Sequence, residues 1–206
     1  MKAIAKRQRA QPTITEIARR AQIIEAAIAT IAEIGYAKAS FSQIAKTAGL
    51  SSTGLISYHF SSKQELNAAI VEEVIGTMSA FMHECMQVVS TSTPQGALVA
   101  YITGTIAFMQ EKPAYMQALL GIFTHGGFVY EGEQEQAAIS PLEGILRDGQ
   151  DAGVFRSFDL RVMATTIQRS IDGIPMALAA DPSLDLDVYA RELVELFTLA
   201  TQARCE

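Results

Sequence analysis

The residues best suited to chemistry stand between positions 41 and 66, and what they suit is recognition of DNA rather than bond making. Ser42, Gln43 and Lys46 fall within about two helical turns, residues 42–48, that Gly49 ends. Ser51, Ser52 and Thr53 then offer N-cap candidates for a second short helix running to about Tyr58. Ile44, Ala45, Leu50, Leu55 and Ile56 are spaced to pack the pair together, and the glycine lets the backbone reverse between them. The second helix then turns Ser52, Thr53, Ser57 and the ring of Tyr58 outward. Reading a major groove needs such groups, because residues near the start of the helix meet base edges while flanking groups hold phosphates. Helix starts near Ser42 and Ser62 aim backbone N–H groups the same way, with Lys46 and Lys63 adding charge. Short glycine-linked helices also occur in ordinary bundles, so spacing alone leaves both readings open.

Charge favours the first. The chain of 206 residues has a net charge of −6, but residues 1–65 hold nine Lys and Arg against four Glu. The remainder holds seven basic residues against eighteen acidic ones. Such asymmetry points to a polyanion partner for the basic part. The arm bearing Lys2, Lys6, Arg7 and Arg9 is either a solvated tail or a further contact to the DNA backbone or minor groove.

Composition excludes several classes. Apolar residues make up 49%, too many for disorder, and no apolar run approaches the ~20 residues of a membrane span. No secretory leader is visible, and Cys85 and Cys205 lie too far apart to suggest a disulfide framework, so a cytoplasmic protein is expected. No nucleophile–base pair or phosphate-cradling glycine loop stands out, and His83, Cys85 and His125 fit no compact metal signature. The expectation is a non-enzyme without a cofactor.

The elements that position these residues are all helical by periodicity. A helix begins at Thr15, carries Ile17, Ile23, Ile24, Ala27, Ile28 and Ile31 on one stripe, and stops at Gly35. Ser61 or Ser62 caps a long helix that runs almost to Ser90, with Glu65 placed for a capping box. Pro94 and Pro113 each start another, and residues 121–131 form one glycine-rich stretch without a clear assignment. Residues 133–151 read as a helix kinked at Pro141, residues 159–180 as one capped by Asp159, and residues 187–203 as the last. The sum is an all-α chain of about nine helices, divided into residues 1–65 and 66–206.

The segments Phe41-Ser42-Gln43-Ile44-Ala45-Lys46-Thr47-Ala48-Gly49-Leu50-Ser51 and Gly54-Leu55-Ile56-Ser57-Tyr58-His59-Phe60-Ser61-Ser62-Lys63-Gln64-Glu65-Leu66 resemble the DNA-binding part of the TetR (tetracycline-repressor-like) family. The likeness spans roughly residues 16–70. It implies a homodimer on a palindromic operator, with a small-molecule effector bound in a C-terminal helical domain. It also implies that Thr53, Gly54 and Leu55 approach bases, that Ser57 and Tyr58 meet bases or phosphates, and that His59 and Lys63 meet phosphates. Against the family pattern, Ser51-Ser52-Thr53 contains one extra residue.

Beyond Leu66 the family pattern fades, and large deformable side chains take over. Phe81, Met82, Met86, Tyr101, Thr105 and Phe108, with Met109, Met116, Phe123, Met163 and Ile167, are the candidates to line a hydrophobic effector cavity or simply to fill a core. The family analogy places the dimer face on the last two helices, where Ile167, Ile171, Leu193, Leu196 and Phe197 supply apolar burial. The expected mechanism is repression relieved by effector, with the long helix from Ser62 as the lever. The rivals are an activator, a ligand-independent regulator, or a helical small-molecule-binding protein or enzyme.

Overall fold

The computed structural model describes residues 13–88, 93–126 and 132–203, and ten α-helices account for most of them. In order they are α1 (Ile14–Ile34), α2 (Phe41–Thr47), α3 (Gly54–His59), α4 (Lys63–Val88) and α5 (Pro94–Glu111). Then come α6 (Pro113–His125), α7 (Gly132–Asp151), α8 (Leu160–Asp172), α9 (Ile174–Ala180) and α10 (Leu186–Thr201). No strand forms among the described residues; an isolated antiparallel bridge joins Phe155 to Gln202. The all-α reading holds.

Two boundaries differ from the sequence reading, each for a local reason. Helix α1 is capped by Thr13, not Thr15. The Thr13 hydroxyl accepts from the Glu16 N–H, and the Glu16 carboxylate accepts from the Thr13 N–H at 2.8 Å, a reciprocal capping box. The helix expected over residues 159–180 is two. Gly173 ends α8, and Pro175, with no N–H to continue the ladder, sits in the first turn of α9. Pro141, by contrast, is accommodated inside α7.

The centre of the body is α5, which packs against α4, α6, α7, α8 and α10. A helix surrounded on every side must be apolar all round, and its sequence complies: Leu98, Ile102, Ile106 and Phe108 are fully buried. At the N-terminal end α1 packs on α2, α4 and α6. Its Ile23, Ile24, Ile28 and Ile31 join Ile44, Ile56 and Phe60 in a core that continues into the body.

Candidate nucleic-acid interface

The interface is built on a pair of short helices whose inner faces are fixed and whose outer faces are bare. The Ser40 hydroxyl caps α2 by accepting from the Gln43 N–H. After α2 the chain reverses at Gly49, whose φ of +64° is a left-handed conformation that a side chain would strain. The Leu50 N–H returns to the Ala45 carbonyl at 2.8 Å. Two side chains of α1 lock this turn: Gln22 donates to the Ala48 carbonyl at 2.7 Å, and Thr30 donates to the Thr47 hydroxyl at 2.9 Å.

Helix α3 is anchored by Ile56, with Phe60 just beyond its end; both are fully buried. Helical geometry then sends Gly54, Leu55, Ser57 and Tyr58 outward, and all four are exposed. Ser42, Gln43 and Lys46 are exposed along α2, and Ser51, Ser52 and Thr53 along the turn. Thr53 occupies the N-cap position of α3, but its hydroxyl makes no capping bond. The Ser52 hydroxyl lies against Gly54, 3.4 Å from where a Cβ would stand. Of the eleven residues expected to meet DNA, nine are therefore exposed on this face, while His59 and Lys63 are half-buried.

Sequence reasoning missed what holds α3 in place. The Arg20 guanidinium donates to the His59 carbonyl at 3.1 Å, stacks 4.2 Å over the Phe60 ring, and lies 3.9 Å from the Glu65 carboxylate. A cation on the last carbonyl of α3 also complements the negative end of the helix. The signal was present, because Arg20 stands one turn before Ile23 and Ile24 on the apolar stripe of α1.

A second tie runs from α1 to the reading surface, where the Tyr58 hydroxyl donates to Glu16 at 3.0 Å. Hydrogen bonds from the Thr13 backbone, the Thr13 hydroxyl and Tyr58 hold the Glu16 carboxyl below its ordinary value. A lowered carboxyl pKa means that this bracket is intact at neutral pH and is lost only as pH falls through the lowered value.

Lys63 and the start of α4 depart from expectation. Lys63 Nζ donates to the Tyr36 carbonyl at 3.3 Å and sits 4.0 Å over the Tyr36 ring, and burial lowers its pKa. The α4 N-terminus already holds an anion of its own. The Ser62 hydroxyl caps it by accepting from the Glu65 N–H, and the Glu65 carboxylate accepts from the N–H and hydroxyl of Ser61. Tyr58 and Lys63 should therefore behave differently on truncation. Tyr58→Ala is expected to weaken operator binding with less than about 0.5 kcal/mol lost on urea unfolding, whereas Lys63→Ala is expected to cost about 1 kcal/mol. Equal losses would show that the two side chains have the same role.

The candidate effector residues gather around α5, but in a closed arrangement. Phe108 and Ile167 are fully buried, Thr105, Met109 and Met116 are buried, and Phe81, Met82, Tyr101, Phe123 and Met163 are half-buried. The Met86 side chain lies outside the described residues, as does the basic arm. Phe108 meets the rings of Phe81 and Tyr115 edge-on at 5.6 and 6.4 Å. The Thr105 hydroxyl is satisfied by the Tyr101 carbonyl at 2.7 Å. The Tyr101 phenol donates to Gln168 at 2.7 Å, and burial together with the nearby Asp172 pushes its pKa up to about 12. A cavity of about 150 Å³ opens elsewhere, between the start of α5 and the end of α10, lined by Gln95, Leu98, Val154, Phe155, Thr198, Thr201 and Gln202.

Four of the five residues expected at a dimer face are spent inside the subunit. Ile167, Ile171, Leu193 and Phe197 are buried in the chain's own core, where α8 packs chiefly on α7 and α10 on α5. Leu196 is 55% exposed, as are, in differing degree, Val188 and Leu199 of α10 and Val162 of α8.

Comparison with known proteins places these features in context. The family model for bacterial regulatory proteins of the tetR family matches residues 23–70. The HTH-type transcriptional regulator BetI of Yersinia pestis (strain Pestoides F) is 33% identical over 105 residues, which are 51% of this chain and 52% of that protein. The chain thus spans about half the length of the curated relatives it matches. Among solved structures, a transcriptional regulator from Saccharomonospora viridis in complex with choline superposes with a TM-score of 0.74 at 21% identity, covering 91% of this chain and 100% of that one. FadR from Bacillus subtilis in complex with stearoyl-CoA superposes with a TM-score of 0.69 at 23% identity, covering 86% and 97%. These relatives and neighbours are transcriptional regulators.

Proposed function

We propose that the chain is a TetR-family transcriptional regulator, and that it is a ligand-responsive repressor acting in the cytoplasm as a homodimer. Residues 1–65 read DNA, and residues 66–206 bind the effector and the partner subunit. Each subunit places α3 in the major groove of one half of a palindromic operator, with half-sites about one helical turn apart or somewhat more. One observation carries the reading. The hydroxyls and ring of residues 51–58 stand exposed over the buried Ile56–Phe60 anchor, in the basic part of an otherwise acidic chain.

Release requires an effector that binds one spacing of the two reading heads better than the other. Helix α4 starts beside α3 and runs into the body, and the α1–α6 contact provides a second route. The effector is small and hydrophobic, seated among Met82, Met109, Met116 and Met163 beside Phe108; methionines can yield to it because their chains are unbranched and flexible. Thermal-shift titrations with choline and stearoyl-CoA, held by two structural neighbours, are the first probes. A mobility shift against the region upstream of the protein's own gene tests the DNA reading. Absence of sequence-specific, salt-sensitive binding ends it. A reporter assay separates repression from activation.

Dimerisation uses the outer faces of α8 and α10. Replacing Leu196 and Leu199 together with glutamate is expected to convert the dimer to a folded monomer in sedimentation and to weaken operator binding at least tenfold, since specific dimers bury on the order of 1,600 Å². An unchanged dimer would move the interface elsewhere.

A further inference from the structure

The recognition helix lacks the side chains that pair with purines. Bidentate contacts to guanine use Arg or Lys, and those to adenine use Asn or Gln. None of these occurs in residues 51–62, which read Ser-Ser-Thr-Gly-Leu-Ile-Ser-Tyr-His-Phe-Ser-Ser. Ile56 and Phe60 are committed to the core, and His59 is half-buried. The Tyr58 hydroxyl donates to Glu16, so toward a base it offers its ring edge and oxygen lone pairs. Leu55 is left as the apolar group of the outer face, 38% exposed among hydroxyls. Next to it Gly54 has no side chain, so a groove floor can approach closely.

In the major groove a base pair offers one apolar group, the C5-methyl of thymine. We propose that Leu55 reads a thymine methyl group, fixing an A·T pair in each half-site by hydrophobic contact. The inference rests on the DNA-binding reading above and adds the chemistry of one contact to it. Ser57 and Thr53 then supply single hydroxyl contacts, which discriminate weakly because a hydroxyl both donates and accepts.

The test uses the duplex that the wild-type protein enriches from a random-sequence pool. Each thymine is replaced in turn by deoxyuridine, which removes the methyl and leaves the pairing edge unchanged. One thymine per half-site is expected to show an affinity loss of about four-fold, the worth of one buried methyl, and on the order of fifteen-fold when both half-sites lose it. Leu55→Ala is expected to bind thymine and uracil duplexes equally, with its fold checked by circular dichroism; Leu55→Asn replaces it where the alanine variant melts early. Enrichment of a duplex without any methyl dependence, or an undiminished penalty in the Leu55 variants, overturns this proposal alone. Failure to enrich any duplex overturns both it and the DNA-binding reading.

Discussion

Replacing Arg20 with alanine is expected to lower operator affinity about tenfold while leaving the slope of log affinity against log salt unchanged. A residue that held a phosphate directly would instead reduce that slope by about one. Arg20 is aimed at the protein: its guanidinium is bound to the last carbonyl of α3 and stacked on Phe60. A charge-assisted hydrogen bond contributes about 1.5 kcal/mol or more, which corresponds to roughly tenfold when it is spent on orienting the reading helix. Arg20→Lys sharpens the test. Lysine keeps the charge but loses the planar fork that bonds and stacks at once, so it should recover less than half of the lost binding free energy. Full rescue by lysine, or a shallower salt slope, would mean that Arg20 acts on DNA as a simple charge.

The parts of this molecule that were legible from sequence are those governed by local rules. Ile56 as an anchor, and Ser61 or Ser62 as the α4 cap, follow from spacing and cap chemistry; Ile56 is buried and Ser62 supplies the cap. Ser57 and Tyr58 face outward as the same helical period places them, whereas Leu55, which spacing assigned to packing against α2, is exposed. The choice of Thr13 over Thr15 was also written locally, since Glu16 stands three residues after Thr13, but a second threonine two residues on made the pattern ambiguous. What was not legible depends on partners distant in sequence. Arg20 meets a carbonyl 39 residues away, and Lys63 is drawn back to a tyrosine 27 residues before it. Periodicity also identifies an apolar face without saying what covers it. Ile167, Ile171, Leu193 and Phe197 were apolar at helical spacing, yet they are buried within the same chain, where α8 packs chiefly on α7 and α10 on α5.

Gly121→Ala is expected to destabilise the fold by about 1–3 kcal/mol, although alanine is ordinarily the better helix former. Gly121 lies within α6, in a glycine-rich stretch to which the sequence gives no clear assignment. Its absent side chain instead allows a close approach between α6 and the reading head. A Cβ there would stand 2.9 Å from the Tyr36 Cβ and 3.3 Å from the Ile31 Cγ2. The Tyr36 Cβ is fixed to the backbone, so it cannot swing aside as the end of a long side chain would. Tyr36 has further obligations: its hydroxyl accepts from the buried Asn67 at 2.8 Å, and its ring and carbonyl hold Lys63. Displacing it strains the junction of α1, α4 and α6 together and strips the Asn67 amide of its partner, a loss that is costly for a buried polar group. Gly76 in α4 is the control, exposed and with nothing within 4 Å of its would-be Cβ. Gly76→Ala should therefore stabilise by about 0.5–1 kcal/mol. Urea unfolding of the two variants should move in opposite directions, and Gly121→Ala alone should also weaken operator binding, because the head it displaces carries α3. If Gly121→Ala unfolds at or above the wild-type midpoint, the α1–α6 contact is not what sets the reading head against the body, and the coupling must run through α4 alone.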